Sequence, residues 1–393
     1  MPILFLIVLI DLIGFGLVIP LLPFYAERFS ASPQEVTVLM ATYSFVQMLS
    51  APVWGRLSDR VGRRPVLMIS MAAAALAYLW LGFADAMWML FAARALGGAC
   101  AGNIAAAQAY VADVTPPEKR ARGMGMIGAA FGIGFIIGPA LGGVVAGNNL
   151  ATADLRSPGL IACALSLTAF FGVLFVLKES LPRGMEPRLR KGRIAALHDA
   201  LARKALARLL LIFFLTILAF GGMEAVFALW AMAQFGWGPE RIGYIFAYVG
   251  VLSAVMQGGL IGRLTARFGE EKLLITGLSL IALGLVAIPL ARDLPLVVVA
   301  VSFLALGMGA MQPSLNSLIS RRAGAAEQGE VMGVAQSIAS LSRVLGPLLA
   351  GVLFAGLGRD APFLAGMVLV VVAAVLGLGI PPAEPTVQPR AAE

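Results

Sequence analysis

Twelve stretches of this chain are each long and apolar enough to cross a lipid bilayer: about 3–25, 36–55, 65–84, 87–112, 122–147, 158–178, 207–234, 239–262, 271–290, 295–319, 329–356 and 361–380. A spanning helix needs roughly 20 mostly apolar residues. Inside hydrocarbon every backbone N–H and C=O must find its partner within the protein, so such stretches fold as helices. The 393 residues are 60% hydrophobic and only 13% charged, far more apolar than a soluble domain of this length. The expected fold is an all-α membrane protein with twelve transmembrane helices. The first stretch starts at Ile3 with no basic leader and holds Asp11, Pro20 and Pro23, so it is expected to be a retained helix rather than a cleaved signal.

The chain also repeats itself. Residues 55–67 read Gly-Arg-Leu-Ser-Asp-Arg-Val-Gly-Arg-Arg-Pro-Val-Leu, a short basic turn between two apolar segments, and 262–274 read Gly-Arg-Leu-Thr-Ala-Arg-Phe-Gly-Glu-Glu-Lys-Leu-Leu. Gly55, Arg56, Leu57, Arg60 and Gly62 recur at an offset of 207, and Gly138-Pro139 recurs as Gly346-Pro347 at 208. Two landmarks with almost one offset imply a duplicated unit. The expected organisation is two pseudo-symmetric six-helix bundles, 1–178 and 208–380. A polar linker at 179–207 joins them, and a Pro-rich tail at 381–393 follows, expected to be disordered. Ile194 to Leu206 has helical apolar spacing and is read as a surface helix. The single histidine, His198, lies in it as a solvated residue or a pH sensor.

Charge supplies the topology. With both termini cytoplasmic, the five inner loops carry four, three, nine, three and two of the 29 Lys and Arg, and the outer loops carry only Arg28, Arg156, Arg241, Arg292 and Arg359. That bias follows the positive-inside rule. The basic residues are then solvated faces beside a membrane, and no nucleic-acid partner is expected. Cys100 and Cys163 both lie in apolar segments, with no disulfide framework, no metal spacing and no cofactor implied. The chain has no Walker sequence and no nucleophile–base set, so it is not expected to be an enzyme or to be driven directly by ATP.

Four formally charged residues fall inside the spans: Asp11, Arg94, Glu224 and Arg343. Each costs about 2.5–3.5 kcal/mol at a helix centre on insertion scales, so they are candidates for function, or else ties between helices. An acid in apolar surroundings can hold a proton until a cation or a positive substrate replaces it. At about 100° per residue, Gly98 and Gln108 fall within about 40° of Arg94, and Asn103 falls on the opposite face. Polar and aromatic stripes run along other segments: Tyr43, Gln47, Ser50 and Trp54; Tyr244 and Tyr248; Met308, Gln312 and Asn316; Gln336 and Ser340 with Arg343. Each stripe is either helix packing or the lining of a wet, aromatic, Met-containing cavity that suits varied amphipathic molecules. Gly128, Gly132, Gly134, Gly138, Gly142 and Gly143 crowd the fifth segment, where close packing and a coupling hinge or seal are both open readings.

These residues resemble the major facilitator superfamily, in particular its twelve-helix drug/proton antiporters and most of all the tetracycline/proton antiporter branch. Gly55 to Arg64 is similar to the superfamily signature between helices two and three. Asp11 to Pro23 resembles the acidic, Gly- and Pro-rich first helix, Arg94 to Gly98 the fourth-helix motif, Asp113 to Arg122 the inner end of helix four, and Gly134, Gly138, Pro139, Gly142 and Gly143 the fifth-helix antiporter motif. The resemblance implies that Gly55, Asp59, Arg60, Arg63 and Asp113 form a cytoplasmic gate, with Asp59 facing the inner end of helix eleven when that side is shut. The branch places a histidine in helix eight and an acid in helix nine; here those regions read Val251-Leu-Ser-Ala-Val and Ser279-Leu-Ile-Ala-Leu. The expected function is proton-coupled export of lipophilic drugs, cationic ones included, by alternating access. Asp11 and Glu224 would carry protons, and Arg94 and Arg343 would be their counter-charges. The protein is expected to be a monomer, multi-pass in the cell (inner) membrane, with protons and a small molecule as its partners. The alternatives are an exporter of a sugar or amino acid, and a membrane receptor or lipid-handling protein that does not transport.

Overall fold

Each apolar stretch is a helix: Pro2–Glu27, Pro33–Val61, Arg63–Gly82, Met87–Val114, Gly123–Ala146, Arg156–Phe175, Lys204–Phe235, Pro239–Phe268, Glu270–Leu290, Leu294–Arg322, Gln328–Leu357 and Ala361–Leu378. The computed structural model describes residues 2–116, 119–149, 152–181, 193–323 and 327–380. Pro117 and Glu118, the linker stretch 182–192 and the tail 381–393 lie outside the described residues. Among the described residues no strand occurs.

Local chemistry sets several helix starts. Ser32 and Glu35 form a reciprocal capping box ahead of the second span, Asp154 accepts from the backbone N–H groups of Arg156 and Ser157 at the sixth, and Asp293 accepts from Leu296 N–H at the tenth. Each supplies an acceptor to N–H groups that a helix start leaves unpaired.

The stretch read as a basic turn is mostly helix. The second span continues through Asp59 and Arg60 to Val61, and the chain reverses at Gly62 alone, whose φ is 105°. Its copy behaves alike: the eighth span runs to Phe268 and reverses at Gly269, φ 81°. Such angles are essentially reserved for glycine. Both spans therefore run six residues past the ends of their apolar stretches, because a helix does not have to end where the bilayer does.

The duplicated Gly-Pro pairs make the same crossing in each half. A Cβ on Gly138 would stand 2.7 Å from backbone atoms of Gly16 and Leu17 in the first span, and one on Gly346 would stand 2.6 Å from the Leu218 carbonyl in the seventh. Backbone-to-backbone approach of this kind is what small residues permit in a membrane. Gly82 with Gly159, and Gly277 with Gly307, bring the third span onto the sixth and the ninth onto the tenth in the same way. Trp230, fully buried in the seventh span, donates to Asp360 at 2.8 Å.

Three spans are irregular within their length, the first by a 3-10 turn at Ile19–Leu21 around Pro20. The fourth is a helix over Met87–Ala99 and another over Asn103–Val114, and the eighth contains a π turn at Met256–Leu260 around Gly258 and Gly259. A separate helix covers Arg193–Ala202, and Arg203 ties its end to Glu327, before the eleventh span, by an ion pair of 2.5 Å. The turns at Gly62 and Gly269 and this linker lie at one end of the molecule, the linker end.

Candidate functional site

The break in the fourth span organises the centre. Its freed backbone groups are met by neighbouring spans: Ser50 donates to the Gly98 carbonyl at 3.0 Å, Trp54 Nε1 to the Ala99 carbonyl at 2.5 Å, and Gly102 N–H to Ser70 at 3.2 Å. Without those partners, irregular backbone at membrane depth is not tolerated. Glycine makes the fit possible, since a Cβ on Gly98 would lie 2.5 Å from the Tyr43 carbonyl and one on Gly102 would lie 2.9 Å from the Trp54 ring.

The break also overturns the helix arithmetic. Asn103, expected opposite the functional face, donates its side-chain amide to Asp11 Oδ2. Asp11 is 5% exposed, and because Asn103 opens a half-helix the carboxyl is held near the positive end of that helix. Arg94 is 8% exposed and lies over the Tyr43 ring, 4.4 Å from its centroid. Tyr43 in turn stands 5.5 Å from Phe15, which stands 6.3 Å from Phe135.

In the other bundle, Gly221 faces the Arg343 Cα and Gly222 faces Gly346, so Glu224 and Arg343 both lie within a turn of the seventh–eleventh crossing. Arg343 interacts electrostatically with Glu224 and with Tyr43 and donates to Ser340 at 3.1 Å. Among the described residues, no ion pair joins Asp11 or Glu224 to either arginine. Asp11 is partnered by an amide.

At the linker end, Arg63 gathers three groups: Asp59 at 2.6 Å, Asp113 at 2.9 Å and Ser58 at 3.2 Å. Arg63 is 8% exposed at its side chain and Asp59 48%. Glu179 completes the cluster from beyond the sixth span, accepting from the backbone N–H groups of Arg63 and Arg64 and filling the space over Gly62. Burial opposes its charge, but the N–H groups of Leu181, Arg63, Arg64 and Ser180 more than offset that and hold its carboxyl below the usual range. In the second half, Glu270 bonds Ser317 at 2.6 Å and Arg321 at 3.4 Å.

The bundles meet through the fifth with the eighth span and the second with the eleventh, and they meet at one end. A Cβ on Gly143 would lie 2.8 Å from the Pro239 carbonyl, one on Gly250 would lie 2.9 Å from the Phe135 carbonyl, and Gly351 abuts Thr37. Eighteen residues is five turns of an α-helix, so Gly55 shares a face with Thr37, and Gly333 with Gly351. Gly55 and Gly333 have nothing within 4 Å of a Cβ position, and neither have Gly125, Gly128 and Gly132. On these faces the bundles touch toward the far end and leave open space toward the linker end.

The Major Facilitator Superfamily model matches residues 4–345 and again 209–393. The chain belongs to the major facilitator superfamily. It is 33% identical to the class D tetracycline resistance protein of Salmonella ordonez, over 95% of this chain and 93% of that one. It is 31% identical to multidrug resistance protein 2 of Bacillus subtilis (strain 168), over 95% and 92%. Among solved structures it is similar to the human organic anion transporter MFSD10 (TETRAN), with TM-score 0.72, 27% identity and coverage of 96% and 98%. Its fold also matches a bacterial homologue of the lysosomal transporter Spinster, with TM-score 0.80 at 17% identity and coverage of 96% and 95%. The superfamily fold is two six-helix bundles, and its members are membrane transporters, not enzymes.

Other candidates of this superfamily member fall as follows. Gly134, Gly138 and Gly142 lie on the first span, Gly143 lies on the eighth, and Pro139 touches Gly16 of the first with its ring and Gly243 of the eighth with its carbonyl. Arg60 is exposed; Gln47, Gln312 and Asn316 are half-buried; Gln108 and Gln336 are exposed; Met308 is buried in the second bundle's core. Tyr244 bonds Glu240 at 3.3 Å and Tyr248 bonds Ser302 at 2.8 Å, and His198 is exposed. Sequence reasoning missed Asn103 and Glu179. Gly102-Asn103 inside an apolar run was the available signal for the first; Glu179 gave none, being one acid at the start of a basic linker.

Proposed function

We propose that the chain is a proton-coupled exporter of lipophilic drugs, working by alternating access as a monomer in the cell (inner) membrane with both termini cytoplasmic. The one-ended seal carries the reading: Thr37 and Gly351 touch, while Gly55 and Gly333, on the same two faces, meet nothing. The linker end holds most of the Lys and Arg, which supports placing it in the cytoplasm, so the state described is the inward-open one. Rocking the bundles about their centre would part Thr37 from Gly351 and bring Gly55 toward Gly333. Asp59, half-exposed now, would join that closed contact as part of the cytoplasmic gate.

Asp11 and Glu224 are the proton carriers in this reading, one in each bundle, and Arg94 and Arg343 the charges that tune them. Asn103 suits the task, because an amide donates to a carboxylate and accepts from a carboxylic acid. Tetracycline and multidrug resistance relatives support drugs as cargo, and the organic anion relative supports acidic cargo. The absence of the branch's histidine and acid from 251–255 and 279–283 argues against a metal–tetracycline complex.

The test is proton release from purified protein in weakly buffered detergent, on adding lipophilic cations, neutral drugs and acids, beside Asp11→Asn and Glu224→Gln. Release by the parent that disappears in one variant supports antiport and names the carrier. Binding without release sinks it in favour of a uniporter, a metabolite carrier or a receptor.

A further inference from the structure

We infer that Arg94 and Arg343 together form a seat for an acidic group on the substrate, so that the preferred cargo is an amphipathic zwitterion rather than a simple lipophilic cation. The inference rests on the transport reading above and deepens it by naming the substrate class.

The first observation is an unanswered guanidinium. Arg94 is more than nine-tenths buried, its Nε is buried with no hydrogen-bond partner, and among the described residues none of its N–H groups meets an acceptor. Its contact is the face of Tyr43. Arginine keeps its charge throughout the accessible pH range and presents five donors in a planar fork shaped for a carboxylate. The acid nearest in function does not answer it, because Asp11 is engaged by Asn103.

The second observation comes from the opposite bundle. Arg343 makes no ion pair either, spending one donor on Ser340, and Tyr43 interacts electrostatically with both arginines. One guanidinium thus lies on the Tyr43 ring, and a second, from the other half, lies within electrostatic reach of it. A carboxylate there would meet the fork geometry that makes arginine pairs strong, and it would touch both bundles at once. The Phe15–Tyr43–Phe135 cluster beside it offers an apolar shelf for the rest of the molecule.

Charge logic narrows the class further. An anion alone is attracted most when Asp11 and Glu224 are protonated, so it would bind together with protons, the wrong sign for exchange. A cation alone displaces a proton but leaves Arg94 unanswered. A molecule with both charges places its acidic group on the arginines and its ammonium where the proton was.

The experiment uses calorimetry and proton release on the purified full chain with four matched probes: an arylalkyl amine, the amino acid of the same skeleton, its methyl ester, and the acid lacking the amine. The amino acid should bind at least about tenfold more tightly than the ester or the amine and release protons, and the acid lacking the amine should bind without releasing any. In Arg94→Gln and Arg343→Gln the amino acid and its ester should converge to within about twofold. An ester or amine that binds the parent as well as the amino acid overturns the seat and leaves proton exchange standing. Absence of binding and release for all four overturns both.

Discussion

Asn103 reaches Asp11 across the break in the fourth span, so the buried acid of the first helix depends on the first residue of a half-helix that an unbroken helix would have turned away. Replacing that amide by Asn103→Leu leaves a buried carboxyl without its partner, a loss on the order of 1–3 kcal/mol. Substrate-driven proton release should fall about tenfold or more, each factor of ten corresponding to about 1.4 kcal/mol, and Asn103→Gln should recover part of it. Parent-like release by Asn103→Leu would remove Asn103 from the mechanism.

The linker-end cluster predicts an order of stabilities. Arg63→Ala removes bonds to Asp59, Asp113 and Ser58 together and should cost about 2–3 kcal/mol. Asp113→Asn should cost about half as much. Asp59→Asn should cost under about 1 kcal/mol because that side chain is half-exposed, yet it should impair transport, which passes through the closed-gate state. Thermal unfolding in detergent beside a transport assay checks this; an Asp59→Asn loss equal to that of Arg63→Ala would dissolve the argument.

Cysteine labelling can read the seal. With Cys100 and Cys163 replaced, Gly55→Cys, Gly128→Cys and Gly333→Cys should react with a water-soluble maleimide in the substrate-free protein, and Thr37→Cys, buried against Gly351, should not. Conditions that drive turnover should raise labelling at Thr37→Cys and lower it at Gly55→Cys. Equal labelling at both ends in the resting protein would contradict a one-ended seal.

Glu179 gives a pH signature. Its carboxyl is depressed in the folded state, so its contribution is fully present above the unfolded value of about 4.3 and is lost as pH falls through the lower folded value. The stability gap between parent and Glu179→Gln should be flat from about pH 7 to 5 and close below about pH 4. Since the side chain is exposed, the gap should stay under about 1 kcal/mol. A gap that widens on acidification would mean that the backbone bonds are not what holds the charge.

The twelve spans were legible because hydrocarbon leaves the backbone no alternative to helix, and the four charges within the spans because each is costly to insert. What the charges touch was not legible. The partner of Asp11 depends on a break that leaves apolar composition unchanged, so counting residues at 100° each carried Asn103 to the wrong side. The helical part of 55–61 was hidden for the opposite reason: charged residues mark where the membrane ends, and the helix does not end there. The Gly-Pro repeat was legible as a landmark of duplication; the crossing its two copies share was not, because which helix a glycine packs against is not written in its spacing.

The second half keeps a memory of the first that side-chain identity conceals. Shifting Arg63 by 207 positions arrives at Glu270, and shifting Asp113 by 208 arrives at Arg321; the first pair is joined at 2.9 Å and the second at 3.4 Å. The bridge from a turn glycine's neighbour to the end of the next-but-one helix has survived with its polarity inverted. The exchanged pair Arg63→Glu with Asp113→Arg belongs to the same grammar, although Asp59 and Glu179, which have no counterparts in Ala266 and the second half, would then face the wrong sign. The ancestor's symmetry persists in the placement of its bonds, and the two halves have become unequal in the direction those bonds point.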